Sequence, residues 1–198
     1  MMHELSVRSS LRQAHDVLGT LLADGPLVAR VDAAGRALAA CLDRGCKVLL
    51  CGNGGSLCDA AHFAEELTGR FRADRRPLAA IACADPGHIT CTANDYGFEQ
   101  VFSRWVEALA KPGDVLVLLS TSGNSANIIR AAETARALGL ETVALLGKGG
   151  GRLAGRCTHE ISVPGDTSDR IQELHMLILH AWVEMVEGAL RLRPGTAE

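Results

Sequence analysis

The chain has 198 residues, enough to bury a substantial core as one large domain or two small ones. With 47% hydrophobic and 22% charged residues it has the balance of an ordinary globular protein. Its formal charge of −3 leaves no electrostatic footprint for nucleic acid or an anionic membrane. No secretory apolar region opens the sequence and no apolar stretch is long enough for a bilayer, so no membrane partner is expected and the expected compartment is the cytoplasm. The seven cysteines are odd in number and form no CxxC pair, so they read as reduced thiols, most of them small core residues.

A helical region from Leu5 to Arg44, broken near Gly25-Pro26, comes first. Five short apolar runs follow: Lys47 to Cys51, Ala79 to Cys83, Val115 to Leu119, Thr142 to Leu146 and Glu160 to Val163. None alternates cleanly, which suits strands covered on both faces of a parallel sheet. Helix-like stretches at 58–71, 98–110 and 124–139 separate them, the last stopping at Gly139. A helix from Ser168 to Leu192 closes the chain. This alternation predicts an α/β fold, a three-layer α/β/α sandwich around a five-stranded parallel sheet with long flanking helices. With no repeat and no linker, the expectation is one domain over 1–198: a helical segment to about 45, a sheet core over about 46–165, and the last helix.

Both flanking helices are apolar around much of their circumference, through Leu11, Leu18, Leu22 and Val28 in the first and Ile178, Trp182 and Val186 in the last. Such helices are buried on more than one face. The second partner is expected to be another subunit; burial within one chain is the alternative. The basic run "RFRADRR" from Arg70 to Arg76 reads as a solvated loop, with contact to an anionic substrate or a subunit as the other reading.

Two predicted strands end in polar, glycine-rich loops that lead into helices. One is "CGNGGSLCDAAH", with Asn53, Gly54, Gly55 and Ser56; the other is "STSGNSANI", with Ser120, Thr121, Ser122, Gly123, Asn124 and Ser125. Open parallel sheets bind ligands beyond the carboxyl ends of their strands. Glycines admit a ligand close to the backbone, helix N-terminal amides point at it, and hydroxyls add donors without charge. Ser, Asn and Gly are also the usual residues of caps and turns. Two such loops at matching strand ends favour a phosphate or sugar-phosphate site, although neither has the P-loop lysine or a full GxGxxG.

These loops, together with "HFAEELTGRF", "TANDYGF" and "DRIQELHMLILH", resemble the SIS (sugar isomerase) fold, of flavodoxin-like topology, and more closely its phosphoheptose isomerase family. The resemblance implies aldose–ketose interconversion of sedoheptulose 7-phosphate and D-glycero-D-manno-heptose 7-phosphate, the first step towards bacterial heptose precursors. It also implies a homotetramer with active sites at subunit interfaces and one zinc ion per subunit. By motif, Ser120, Thr121, Ser122 and Ser125 correspond to the phosphate cradle. Asn53, Gly54, Gly55, Ser56, Asn94 and Asp95 correspond to further substrate contacts. Asp169 matches a position near the substrate and could equally cap the last helix. The resemblance marks His62, Glu66, Gln172 and His180 as the zinc set, with Glu66 and Gln172 also contacting substrate.

Spacing adds to this. His62 and Glu66, four apart, share a helix face. Gln172 and His180 lie about 80° apart around a helix and can converge, whereas His175 and His180 lie about 140° apart and make poor co-ligands. Glu66 is the natural base for a carbon-bound proton and His180 the natural second group, because imidazole titrates near neutrality. Base and metal ligand compete at Glu66, and zinc acting as a Lewis acid on the sugar oxygens is the alternative. Asp59 reads as charge complementing a helix end. The rival readings are a non-catalytic SIS tetramer that binds a replication initiator, and an isomerase of another phosphosugar.

Overall fold

The computed structural model describes residues 6–72 and 74–191. Helix α1 (Val7–Ala23) opens with a capping box in which the Ser6 hydroxyl accepts from the Ser9 amide at 3.1 Å. The break before α2 (Gly25–Asp43) falls at Asp24, whose carboxylate accepts from the Leu27 amide at 2.9 Å. Pro26 sits in the first turn, where its missing N–H costs nothing. Leu5 and Leu192, the expected outer limits of the flanking helices, lie outside the described residues.

The five expected strands form, shifted by a residue or two: β1 (Val48–Gly52), β2 (Ala80–Ala82), β3 (Val115–Ser120), β4 (Glu141–Leu146) and β5 (His159–Ser162). All neighbours pair in parallel, in the order β2-β1-β3-β4-β5. The edge strand β2 is shorter than its apolar run because only three of its residues find partners in β1. The remaining helices are α3 (Gly55–Thr68), α4 (Pro86–Tyr96), α5 (Val101–Leu109), α6 (Ala126–Ala137) and α7 (Ser168–Arg191). Helix α4 was not expected from periodicity. Its signal is "DP" at 85–86, since the Asp85 carboxylate caps the His88 amide at 2.7 Å with Pro86 in the first turn.

Strand side chains alternate between two cores. Val48, Leu50, Val117 and Leu145 face α2, α3 and α7; Leu49, Leu116, Leu118 and Ala144 face α5 and α6. On the first side Trp182 is fully buried, donates Nε1–H to the Val31 carbonyl at 2.8 Å and meets Phe63 edge-on. Truncating such an anchor costs about 3–5 kcal/mol. The result is that α7 lies along α3, and every loop after a strand opens on one edge of the sheet.

Candidate active site

The order 2-1-3-4-5 reverses winding between β1 and β3, which makes their carboxyl ends the ligand crevice of an open α/β sheet. Both polar loops lie there. They are joined by a reciprocal amide pair, in which Asn53 and buried Asn127 each donate to the other at 2.9 Å. Sequence reading missed Asn127. An Asn inside the first turn of a helix, where its propensity is poor, was the available hint.

Several hydroxyls of the second loop are held by local bonds. Ser120, buried, accepts from the Gly123 amide at 3.1 Å; Ser122 accepts from the Asn124 amide at 3.2 Å; Thr121 pairs with Ser168, at the start of α7, at 3.1 Å. Ser125 takes the N-cap position of α6 yet makes no side-chain capping bond, and α3 is capped by Gly54, which has no side chain. Neither N-cap residue makes a side-chain capping bond; the Ser56 and Leu57 amides of α3 donate to the Asn53 and Gly54 carbonyls at 3.1 and 2.9 Å, and the Ile128 amide of α6 donates to Asn127 Oδ1 at 2.9 Å. The glycine-rich stretch after β4 packs behind this loop, with the Leu153 amide donating to the Gly123 carbonyl at 3.0 Å.

The titratable cluster comes from α3 and α7. His62 and Glu66 lie 3.2 Å apart, and His180, 118 residues from His62, brings its Nε2 within 3.2 Å of the His62 Nε2. One donor atom from each of the three lies within 4.8 Å of the others. Phe71 stacks on the His180 ring at 5.6 Å and 20°. Gln172 reaches α3 as well: its carboxamide lies against Gly55, where a Cβ would stand 2.7 Å from Nε2. That is about two helical turns from His62 along α3.

The other expected residues separate clearly. Gly54 and Gly55 are exposed at the first loop, and Ser56 is buried beneath it. Asn94 and Asp95 are exposed at the end of α4, with the Asn94 amide donating to Asp95 at 2.7 Å. Asp169 is the second residue of α7 rather than the residue before it. The Thr167 hydroxyl, bonded to its carboxylate, holds its pKa below the usual value.

Asp59, expected as charge complementing a helix end, sits in the second turn of α3. It lies partly buried one turn before His62, and its Oδ2 is buried without a hydrogen-bond partner among the described residues. Desolvation pushes its pKa up to about 6 against the opposing pull of His62. His175, as the angular spacing required, points away from His180. It is fully buried, donates Nε2–H to the Leu146 carbonyl at 3.1 Å, and is drawn by burial down to about 4.

A sheet of this order, with two polar loops at its switch point, is the frame of an open α/β ligand-binding domain, and the family model for the SIS domain matches residues 13–147. The phosphoheptose isomerase of Fusobacterium nucleatum is 61% identical over 150 residues, covering 76% of this chain and 77% of that one. That of Vibrio vulnificus is 50% identical over 94% of this chain and 98% of its own length. Among solved structures, a phosphoheptose isomerase from Neisseria gonorrhoeae superposes with a TM-score of 0.85 at 38% identity, covering 92% of this chain and 97% of that chain. The chain belongs to the phosphoheptose isomerase family.

Proposed function

We infer that the chain is an aldose–ketose isomerase, a phosphoheptose isomerase that converts sedoheptulose 7-phosphate to D-glycero-D-manno-heptose 7-phosphate. The observation that carries this reading is the convergence of His62, Glu66 and His180 in a chain that matches phosphoheptose isomerases over nearly its whole length. The 7-phosphate sits against Ser120, Thr121, Ser122 and Ser125 and the first turn of α6, with Asn53, Gly54, Gly55, Ser56, Gln172 and Asp169 around the sugar. Asn94 and Asp95, exposed at the end of α4, serve a site shared with another subunit.

In the reaction Glu66 takes a proton from C1 of the ketose, and the electron pair becomes the C1–C2 double bond of an enediolate. Glu66 returns a proton to C2, while His180 moves the hydroxyl proton from O1 to O2. The donors of His62, Glu66 and His180 suit a borderline divalent metal, and zinc held there supplies Lewis acidity toward the sugar oxygens.

Oligomerisation fits an apolar groove of about 230 Å³ between α1, α2 and α7, lined by Leu18, Leu22, Val28, Leu174 and Leu177. Leu22 is 65% and Leu177 49% exposed in the single chain, and a homotetramer would cover them. Among the described residues no helix is long and apolar enough to cross a membrane. We place the chain in the cytoplasm as one domain serving heptose synthesis.

The test is turnover of sedoheptulose 7-phosphate and of other ketose phosphates, with product analysis, before and after chelation and zinc restoration. Turnover of the heptulose above the other sugars is expected, lost on chelation and regained with zinc. Faster turnover of another sugar would reassign the substrate, and a folded, zinc-loaded protein that turns over none would overturn the enzyme reading.

A further inference from the structure

The basic run at 70–76 is exposed to solvent at Arg70, Arg72 and Arg76, as expected, but not at Arg75. Arg75 and Glu187 are almost fully buried, with side chains 8% and 4% exposed, and the Arg75 Nε donates to Glu187 Oε1 at 3.1 Å. Apart from a bond from Nη1 to the Arg76 carbonyl at 3.2 Å, the rest of the guanidinium is spent on the end of α3. Nη2 donates to the Glu66 carbonyl at 2.6 Å, and Nη1 donates to the Leu67 carbonyl at 2.9 Å and the Gly69 carbonyl at 3.3 Å. These are the carbonyls a helix leaves without intrahelical partners at its C-terminus, and a planar fork of five donors is suited to several of them at once.

Glu187 lies seven residues beyond His180, which on an α-helix returns to within about 20° of the same direction. The face of α7 that presents His180 to His62 therefore also presents Glu187 to the end of α3. Two neighbouring contacts from the same run act alongside: Phe71 stacks on the His180 ring, and Arg72 pairs with Glu184 at 2.8 Å. A pair buried this deeply gives little net stability over an apolar replacement, so its use lies in the geometry it imposes.

Resting on the isomerase reading above, we propose that Arg75, anchored on Glu187, is a positioning residue that clamps the C-terminal turn of α3 to α7 and so sets the separation of Glu66 from His180. It touches neither substrate nor the reacting atoms. Its effect passes through the backbone of Glu66, and a shift of about 1 Å in such a group costs on the order of 100-fold in rate.

The experiment compares wild type with Arg75→Lys, which keeps the charge but cannot span the carbonyls, and with Arg75→Met/Glu187→Leu, which removes both charges and leaves neither buried alone. Each is checked for folding by circular dichroism and for mass by light scattering, then assayed on sedoheptulose 7-phosphate. The proposal expects both folded variants to lose kcat by roughly 10- to 100-fold, with KM for the phosphosugar within about two-fold of wild type, since the phosphate loop is untouched. It also expects the His62 and His180 ring resonances of histidine-labelled, metal-free protein to move in both variants. That readout needs no turnover, so an inactive wild type would sink the isomerase reading while the resonances still decide the clamp. Wild-type kcat with unmoved resonances in either folded variant would overturn the proposal, as would a parallel rise in KM. Failure of both variants to fold would overturn it too, by making the pair a folding determinant.

Discussion

Gly123 sits where the loop after β3 presses on the glycine-rich loop after β4, and Gly123→Ala tests that contact. Its φ of 62° is a left-handed conformation that costs an L residue about 1–2 kcal/mol. A Cβ there would stand 1.8 Å from the Gly150 carbonyl oxygen. Restoring an ordinary carbon–oxygen separation moves one loop by roughly 1.5 Å, and because both sides are backbone no rotamer change relieves it. Gly139→Ala is the control: its φ is 71°, yet nothing lies within 4 Å of the added Cβ. The two substitutions share the strain and differ in the clash. Gly139→Ala should lower stability by about 1–2 kcal/mol and leave KM unchanged. Gly123→Ala should cost about 3 kcal/mol or more once overpacking is included, a fall in Tm of roughly 6–12 °C for a chain of this size. Its KM for the phosphosugar should rise about 10- to 100-fold, the equivalent of one lost hydrogen bond to a charged group. Thermal melts and initial-rate kinetics read both quantities. Equal melting temperatures for the two variants, with wild-type KM in each, would refute the reasoning.

Three further outcomes are expected. Glu66→Gln should fold with wild-type melting behaviour and lose roughly 10²- to 10⁴-fold in kcat; retained turnover would remove Glu66 as the base. Wild type should scatter light as about four chains, and Leu22→Glu with Leu177→Glu, by placing charges in the apolar groove, should lower that mass; a wild-type monomer would end the assembly reading. His175, held near 4 in the fold against about 6.5 unfolded, binds its proton more readily in the unfolded chain between those values. Its contribution is therefore intact above about pH 6.5 and is lost as pH falls toward 4, by about 3 kcal/mol in all. Urea melts should show that slope in wild type, and the slope should be flatter in His175→Gln; identical slopes would refute it.

Much of the fold could be read locally. Continuous apolar runs of strand length, helix-like stretches between them and glycines at their ends are properties of neighbouring residues, and they named all five strands in order. Helix α4 escaped because its evidence was a cap at Asp85 rather than an apolar stripe. The two polar loops were legible for the same local reason, since each is written in consecutive residues. Spacing alone paired His62 with Glu66, because four residues make one helical turn.

What the tertiary structure decided is everything that depends on one element lying against another. His180 meets His62 only because Trp182 and Phe63 seat α7 along α3. Asn127 reaches Asn53 across 74 residues, Asp59 loses its solvent, and Arg75 turns from a surface charge into a buried clamp on Glu187. Gln172 stands beside Gly55 for the same reason, the register of two helices. Sequence by itself determined the kind of fold and the kind of ligand. Packing determined which side chains meet, because the burial that drives association is non-directional and only the completed core fixes the faces in contact.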